Sequence, residues 1–252
     1  MRKTKTQQKI INVLIKEGRD YLNEPKEKSI GFSDDFHANH LLSNIKKYPH
    51  AYVLACIMDR QIGYERAWII PYEISKEIGG FEFSRLSKLN ERQIYSIFKK
   101  RHLHRFRREM AKSFYLGIKR IEEEYDGDAG KIWRGHPSSA EVVYKFLQFR
   151  GVGPKIATMA VNILARDFKV KFSDYSSVDI SADRHVARVF KRLGFVSEDA
   201  DVNGVIYYAR SLYPKFPGIF DIACFNLGRD ICRVRNPECE KCDLKKYCPK
   251  NI

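Results

Sequence analysis

The chain has 252 residues, of which 44% are apolar and 31% charged, and its formal net charge at pH 7 is +15. That length and apolar share suit one large packed domain or two smaller ones, and no run of about eighteen apolar residues is present to form a membrane span. An excess of positive charge this large makes a polyanion the first partner to consider, with nucleic acid ahead of the others.

In chain order, the start Met1-Arg2-Lys3-Thr4-Lys5 is basic, but Gln7-Gln8-Lys9 interrupts any apolar signal core. The expectation is an intracellular, cytoplasmic protein whose thiols stay reduced. Ile10, Ile11, Leu14 and Ile15 recur at helical spacing and predict a helix over 7–22, weakened at its end by Gly18. The polar stretch 23–39 reads as a surface connection. Tyr52 to Met58 is almost wholly apolar, which predicts a buried helix. Helices over 66–78 and 109–125 follow, ended by Gly79-Gly80 and Asp126-Gly127. Between them, Lys99 to Arg108 places six permanent cations in ten residues around Leu103 and Phe106. Such a run reads by default as a solvated helix face, but it also suits a surface that holds phosphates and presses an apolar side chain toward bases.

Ser138 and Glu141 after Pro137 form a capping box that opens a helix through Phe149. The segment Phe149-Arg150-Gly151-Val152-Gly153-Pro154-Lys155 follows. Two glycines make a tight turn, and proline suits the first position of a new helix over 154–166. The N–H groups there form a phosphate seat at the positive end of the helix. Lys155 is misplaced for a dipole, in a first turn where a cation is disfavoured and close to Arg150. A contact to phosphate and an activated amine nucleophile both explain it. After a loop over 168–177 comes Val178-Asp179-Ile180-Ser181-Ala182-Asp183-Arg184-His185-Val186-Ala187-Arg188-Val189, with a helix over 181–193 stopped by Gly194. No alternating strand pattern occurs, so the expected architecture is helical. Cys56 and Cys224 lie in apolar segments and read as core residues. Cys232, Cys239, Cys242 and Cys248 have the spacing C-x6-C-x2-C-x5-C, a ligand set that could close on one metal centre. A zinc site and a disulfide framework compete with an iron–sulfur cluster for these four thiols.

The cysteine spacing resembles the [4Fe–4S] loop of endonuclease-III-like enzymes, and Gly228-Arg229 resembles the G-R pair ahead of it. The hairpin G-V-G-P-K resembles the L-P-G-V-G-x-K turn of the helix-hairpin-helix DNA glycosylase superfamily. Asp183-x-His185-x-x-Arg188-Val189 fits the register of the family's V-D-T-H-I-F-R-V segment, while Val178-Asp179 keeps the V-D pair four residues too early. Gln61 stands where the family has the glutamine of S-A-Q, here preceded by Asp59-Arg60, and Leu103 falls near the family's apolar wedge.

The resemblance implies an all-α protein of two helical domains with a DNA cleft between them. One is a six-helix domain over 41–167 that holds the helix-hairpin-helix motif at about 140–166. The other is a discontinuous cluster domain from 1–40 and 168–252, with its loop at 232–248. It also implies a monomer that excises a damaged or mismatched base from duplex DNA. Lys155 is then the Schiff-base nucleophile of an abasic-site lyase, with Asp183 as its partner carboxylate. Gly151, Val152, Gly153, Gln61 and Leu103 contact DNA. The four cysteines hold a [4Fe–4S] cluster that orders a basic loop including Arg233, Arg235, Lys241, Lys245 and Lys246. A monofunctional glycosylase and a non-catalytic DNA-binding protein remain the alternatives. Arg150 and Pro154 depart from the family's hairpin, so the resemblance does not name the base.

Overall fold

The computed structural model describes residues 3–25 and 29–250, so Met1 and Arg2 of the basic start lie outside it. Twelve α-helices occur among these residues, and no strand. They are α1 Lys5–Asn23, α2 Phe36–Ser43, α3 Pro49–Met58, α4 Tyr64–Ile78, α5 Phe83–Leu86, α6 Glu91–Lys100, α7 Arg107–Tyr125, α8 Ser139–Leu147, α9 Pro154–Arg166, α10 Arg184–Arg192, α11 Val202–Leu212 and α12 Asp221–Asn226. The chain divides into two compact units, one from 29–137 and 141–160, the other from 3–25, 138–140 and 161–250. The division falls at 25/26 and 160/161 rather than at 40/41 and 167/168. The reason at the first boundary is that α2 packs on α3 and α4.

The unit containing α2 to α8 is organised on α3, in which all ten residues are buried. Its near-uniform apolarity is that of a helix covered on every side, and α2, α4, α7 and a 3-10 turn at Ala129–Ile132 supply the cover. α4 ends at Gly79 and α7 at Asp126, both in the left-handed conformation that stops a helix. The basic run 99–108 is not one helix face. It straddles the end of α6, a turn with His102 at φ 50°, and the start of α7.

In the other unit, α1 opens with a capping box between Thr4 and Gln7. It packs on a 3-10 turn at Pro217–Phe220 and on α12. Gly18 is required by this packing. A Cβ there would stand 2.0 Å from the Ile219 carbonyl oxygen, so the residue that seemed to weaken the helix is what lets another backbone touch it. The loop 168–177 contains no helix, yet Phe168 and Phe172 anchor it in the core.

Candidate active site

The first component is the hairpin between α8 and α9. Gly151 has φ 87°, a conformation that glycine adopts without strain. Gly153 differs, since a Cβ on it would meet nothing within 4 Å. The turn itself does not require a glycine there, whereas close approach by an outside group would. Val152 is buried and its N–H donates to the Phe149 carbonyl at 3.0 Å, so that N–H is already committed within the turn. The first turn of α9 presents N–H groups without intrahelical partners, as every helix start does. Thr158 closes that turn by donating its hydroxyl to the Pro154 carbonyl at 2.9 Å.

Lys155 lies in this first turn with its side chain 43% exposed, and its Nζ is 3.0 Å from Asp59 Oδ2. Asp59 follows the last residue of α3, and its side chain is only 7% exposed. A second tie joins the same helices, from the Tyr52 hydroxyl to the Ala160 carbonyl at 2.7 Å. The ion pair was not legible in the sequence, because its members are 96 residues apart. Beside Asp59, Cys56 is a buried core residue, and burial pushes its thiol well up.

Gln61 is exposed at φ 56° in the turn after Asp59, and its Oε1 accepts from Arg105 at 3.4 Å. His104 fixes this turn against the basic run. The Phe106 N–H can only donate, so His104 Nδ1 accepts it at 3.0 Å. Nε2 therefore carries the proton and donates to the Arg60 carbonyl at 3.1 Å. Burial lowers the pKa of this imidazole, against a hydrogen bond to Arg60 that raises it. Leu103 is a core side chain at 6% exposure, so in this conformation it has no free apolar surface to offer as a wedge. Phe106, 38% exposed with the Arg105 guanidinium 4.4 Å from its ring centroid, is the side chain of the run that presents one.

The second component is Asp183. It caps α10, its Oδ1 accepting from the N–H groups of His185 and Val186 at 2.8 and 2.9 Å. Among the described residues Oδ2 takes no hydrogen bond, and the side chain is half-buried. Asp179 is occupied differently, since it is buried and receives both Arg210 Nε and a terminal nitrogen at 2.7 Å. Bidentate pairing of that kind makes Asp179 structural. Asp221, which burial pushes up in pKa, accepts from the Ser181 N–H and so holds the strand of chain leading to Asp183.

The third component is the cysteine loop, introduced by a π-helical turn at Leu227–Ile231. Two arginines of α10 hold its beginning. Arg188 donates to the carbonyls of Cys232 and Gly228 at 2.8 and 2.5 Å, and Arg192 to that of Arg233 at 2.7 Å. Gly228 permits this approach, because a Cβ there would lie 2.8 Å from the His185 carbonyl oxygen. All four cysteines are half-buried. Burial raises the thiols of Cys242 and Cys248, against backbone hydrogen bonds from Leu244 and Lys250 that lower them. Four soft thiol donors within one short loop are of the type that suits a polynuclear thiolate-bound metal. Among the described residues, however, no group of three or more His, Cys, Asp or Glu side chains stands in a metal-holding arrangement. Cys224 is fully buried in α12 as a core residue. Of the loop's basic residues, Arg233 and Lys241 pair with Glu238 and Lys245 pairs with Glu240, while Arg235 and Lys246 are exposed.

No protein-family model matches the chain. It is 27% identical over 163 residues to an endonuclease III of Thermotoga maritima, covering 65% of this chain and 66% of that one. It is 28% identical over 148 residues to an endonuclease III of Synechocystis, covering 57% of each. The chain thus spans less than two thirds of the length of these curated relatives. Among solved structures, a trapped covalent complex of endonuclease III with DNA is similar at a TM-score of 0.63 and 18% identity, over 98% of this chain and 97% of that one. A thermostable thymine-DNA glycosylase is similar at the same score and identity, over 98% and 96%. The fold is theirs, and the sequence likeness extends through more than half of the chain. In sequence over that part, and in fold over nearly its whole length, the chain is similar to endonuclease III.

Proposed function

We propose that the protein is a DNA repair glycosylase that excises a damaged or mismatched base from duplex DNA and cleaves the resulting abasic site through Lys155. The observation that carries this reading is a half-exposed lysine amine in the first turn of α9, directly after a glycine turn and in contact with a buried carboxylate. The turn and the helix start suit a phosphate, and the amine beside them suits an electrophilic sugar carbon.

In the proposed reaction the target nucleotide leaves the duplex, which costs a few kcal/mol and costs least for a damaged or mismatched base. The neutral amine of Lys155 bonds to C1′, and the C1′–N bond breaks with its electron pair leaving on the base. The sugar ring opens to a Schiff base. Loss of a C2′ proton then expels the 3′ phosphate. Asp183, with one carboxylate oxygen used by the α10 cap and the other without a hydrogen bond among the described residues, stabilises the positive charge on the sugar. Gly151, Val152 and Gly153 approach the phosphate backbone, Gln61 faces the space left by the flipped nucleotide, and Phe106 in place of Leu103 enters the base stack.

Cys232, Cys239, Cys242 and Cys248 would hold a [4Fe–4S] cluster, whose chemistry here is to cross-link the loop through iron–thiolate bonds. No helix among the described residues is long and apolar enough to cross a membrane, and the proposed enzyme acts as a monomer on DNA inside the cell. The test is sodium borohydride trapping during turnover on a panel of lesion-bearing duplexes. A wild-type adduct that Lys155→Gln does not form is the expected result. Base release without any adduct would make the enzyme monofunctional, and no release on any lesion would leave a DNA-binding protein.

A further inference from the structure

Asp59 is a group beside Lys155 that the resemblance does not account for, since the family's S-A-Q has no carboxylate at this place. It ends a helix in which every residue is buried, and its side chain is 7% exposed. The neighbouring cation Arg60 is engaged elsewhere, with Glu109 at 2.8 Å. Among the described residues Lys155 is the only side chain ion-paired with Asp59, Nζ to Oδ2 at 3.0 Å. The amine therefore has one side against a buried carboxylate and the other open to solvent.

We propose that Asp59 is a catalytic residue, the proton acceptor that converts Lys155 from ammonium to amine. This rests on the covalent function proposed above. In the free protein the pair is ionic, and water on the open side of the ammonium supports that form. A substrate that covers this side removes the water, and a pair of opposite charges in a dry site relaxes toward its neutral form. The N–H bond breaks, its electron pair stays on Nζ, and the proton passes to Oδ2, leaving an amine and a carboxylic acid. The amine then bonds to C1′ and becomes a secondary ammonium, which gives one proton to the departing base. As the C1′–O4′ bond breaks, its electron pair goes to O4′ and the nitrogen lone pair forms the C=N bond. Asp59 returns its proton to O4′. The three protons of the original ammonium end on the base, on O4′ and on the iminium. Asp59, again a carboxylate, is the counter-ion of the iminium as it was of the ammonium. Activation of the amine is thereby linked to coverage by the substrate.

The experiment uses the full-length protein and a duplex carrying a preformed abasic site, so that base release is not needed. The initial rate of borohydride-trapped adduct is followed from pH 6 to 9 for the wild type, Asp59→Asn, Asp59→Glu and Lys155→Gln. DNA affinity and circular dichroism are measured alongside. For Asp59→Asn the expected result is trapping about 10²-fold slower at pH 7, the usual size of an acid–base contribution. Its rate recovers as pH rises and hydroxide takes over the proton, with DNA affinity unchanged. Asp59→Glu recovers part of the rate. Asp59→Asn trapping at the wild-type rate or faster would overturn the proposal while leaving the lyase function standing. Absence of an adduct with the wild type would overturn both. Should Asp59→Asn not fold, Asp59→Glu decides, because it keeps the charge but displaces the oxygens. Slower trapping at unchanged affinity supports the role, and an unchanged rate removes it.

Discussion

The surroundings of Lys155 and the cysteine loop are built on opposite principles. Lys155 and Asp59 rest on α3, where burial is complete and each apolar side chain contributes roughly 1.5–3 kcal/mol. The loop from Cys232 to Cys248 has a single fully buried apolar side chain, Leu244. It is held instead by Arg188 and Arg192 donating to its carbonyls and by ion pairs among its own exposed residues, of the kind that contribute about 0–1 kcal/mol each. One region can hold its shape by core packing. The other has too little core to do so, and under the proposed function a cross-link through its thiols makes up for it.

The largest effect that would sharpen this contrast is metal loss. Structural metal sites stabilise small loops by on the order of 10 kcal/mol. Replacing Cys239 by serine, or removing the metal, is expected to abolish amide protection across 232–248 while leaving that of α3 and α7 as it was. Undiminished protection in the loop would show that arginine contacts suffice, and the contrast would fail. Next in size is Gly18→Ala. The Ile219 carbonyl leaves no room for a Cβ, so a loss of about 3 kcal/mol is expected in denaturant unfolding, which overpacking of this kind reaches.

A smaller effect separates the α3 region by its pH dependence. His50 is buried, with Nε2 2.6 Å from the Phe81 carbonyl, and burial lowers its pKa. His104 is lowered by the same cause. The unfolded chain therefore takes up protons near pH 6.5 while the folded one does not, so stability is full above that pH and falls as pH drops through it. The slope for His50 can reach at most about 1.4 kcal/mol per pH unit. Unfolding curves between pH 8 and 5 should show this decline, and His50→Gln should flatten it. A steeper decline in that variant would contradict the sign. The smallest effect on stability, within about 0.5 kcal/mol, is expected for Gly153→Ala, a site with open space around it. The same change should weaken binding to duplex DNA about tenfold, or ~1.4 kcal/mol, if a backbone must approach there. Unaltered affinity would remove Gly153 from the interface.

The sequence made legible what depends on near neighbours. Helical spacing and terminal glycines marked α1, α4 and α7, whereas the helix expected over 181–193 begins only at Arg184, because Asp183 caps it. Register already set its competitor Asp179 aside, but what occupies Asp179 appears only in three dimensions, in Arg210 on α11, a helix whose short and mixed pattern gave no periodic signal. Leu103 illustrates the same limit, because an apolar residue in a basic run looks exposed until the packing of α6 on α7 buries it. Asp59 was visible as a departure from S-A-Q, but its partner lies on the other side of the hairpin in sequence. The cysteines were the reverse case. Their spacing spoke more clearly than their arrangement in space does, since thiols take their final geometry from the metal they hold.

α10 gives the cysteine loop a reach beyond itself. Asp183 caps one end of this nine-residue helix, and Arg188 and Arg192 from its later turns grip the segment around Cys232. A helix of that length is a stiff rod of about 13 Å. Slackening at the cysteines would be transmitted along it to the carboxylate. Under the proposed function, iron supply then sets repair capacity. Protein made in iron shortage is then expected to loosen at α10 and its Asp183 cap while the α3 core stays as it was.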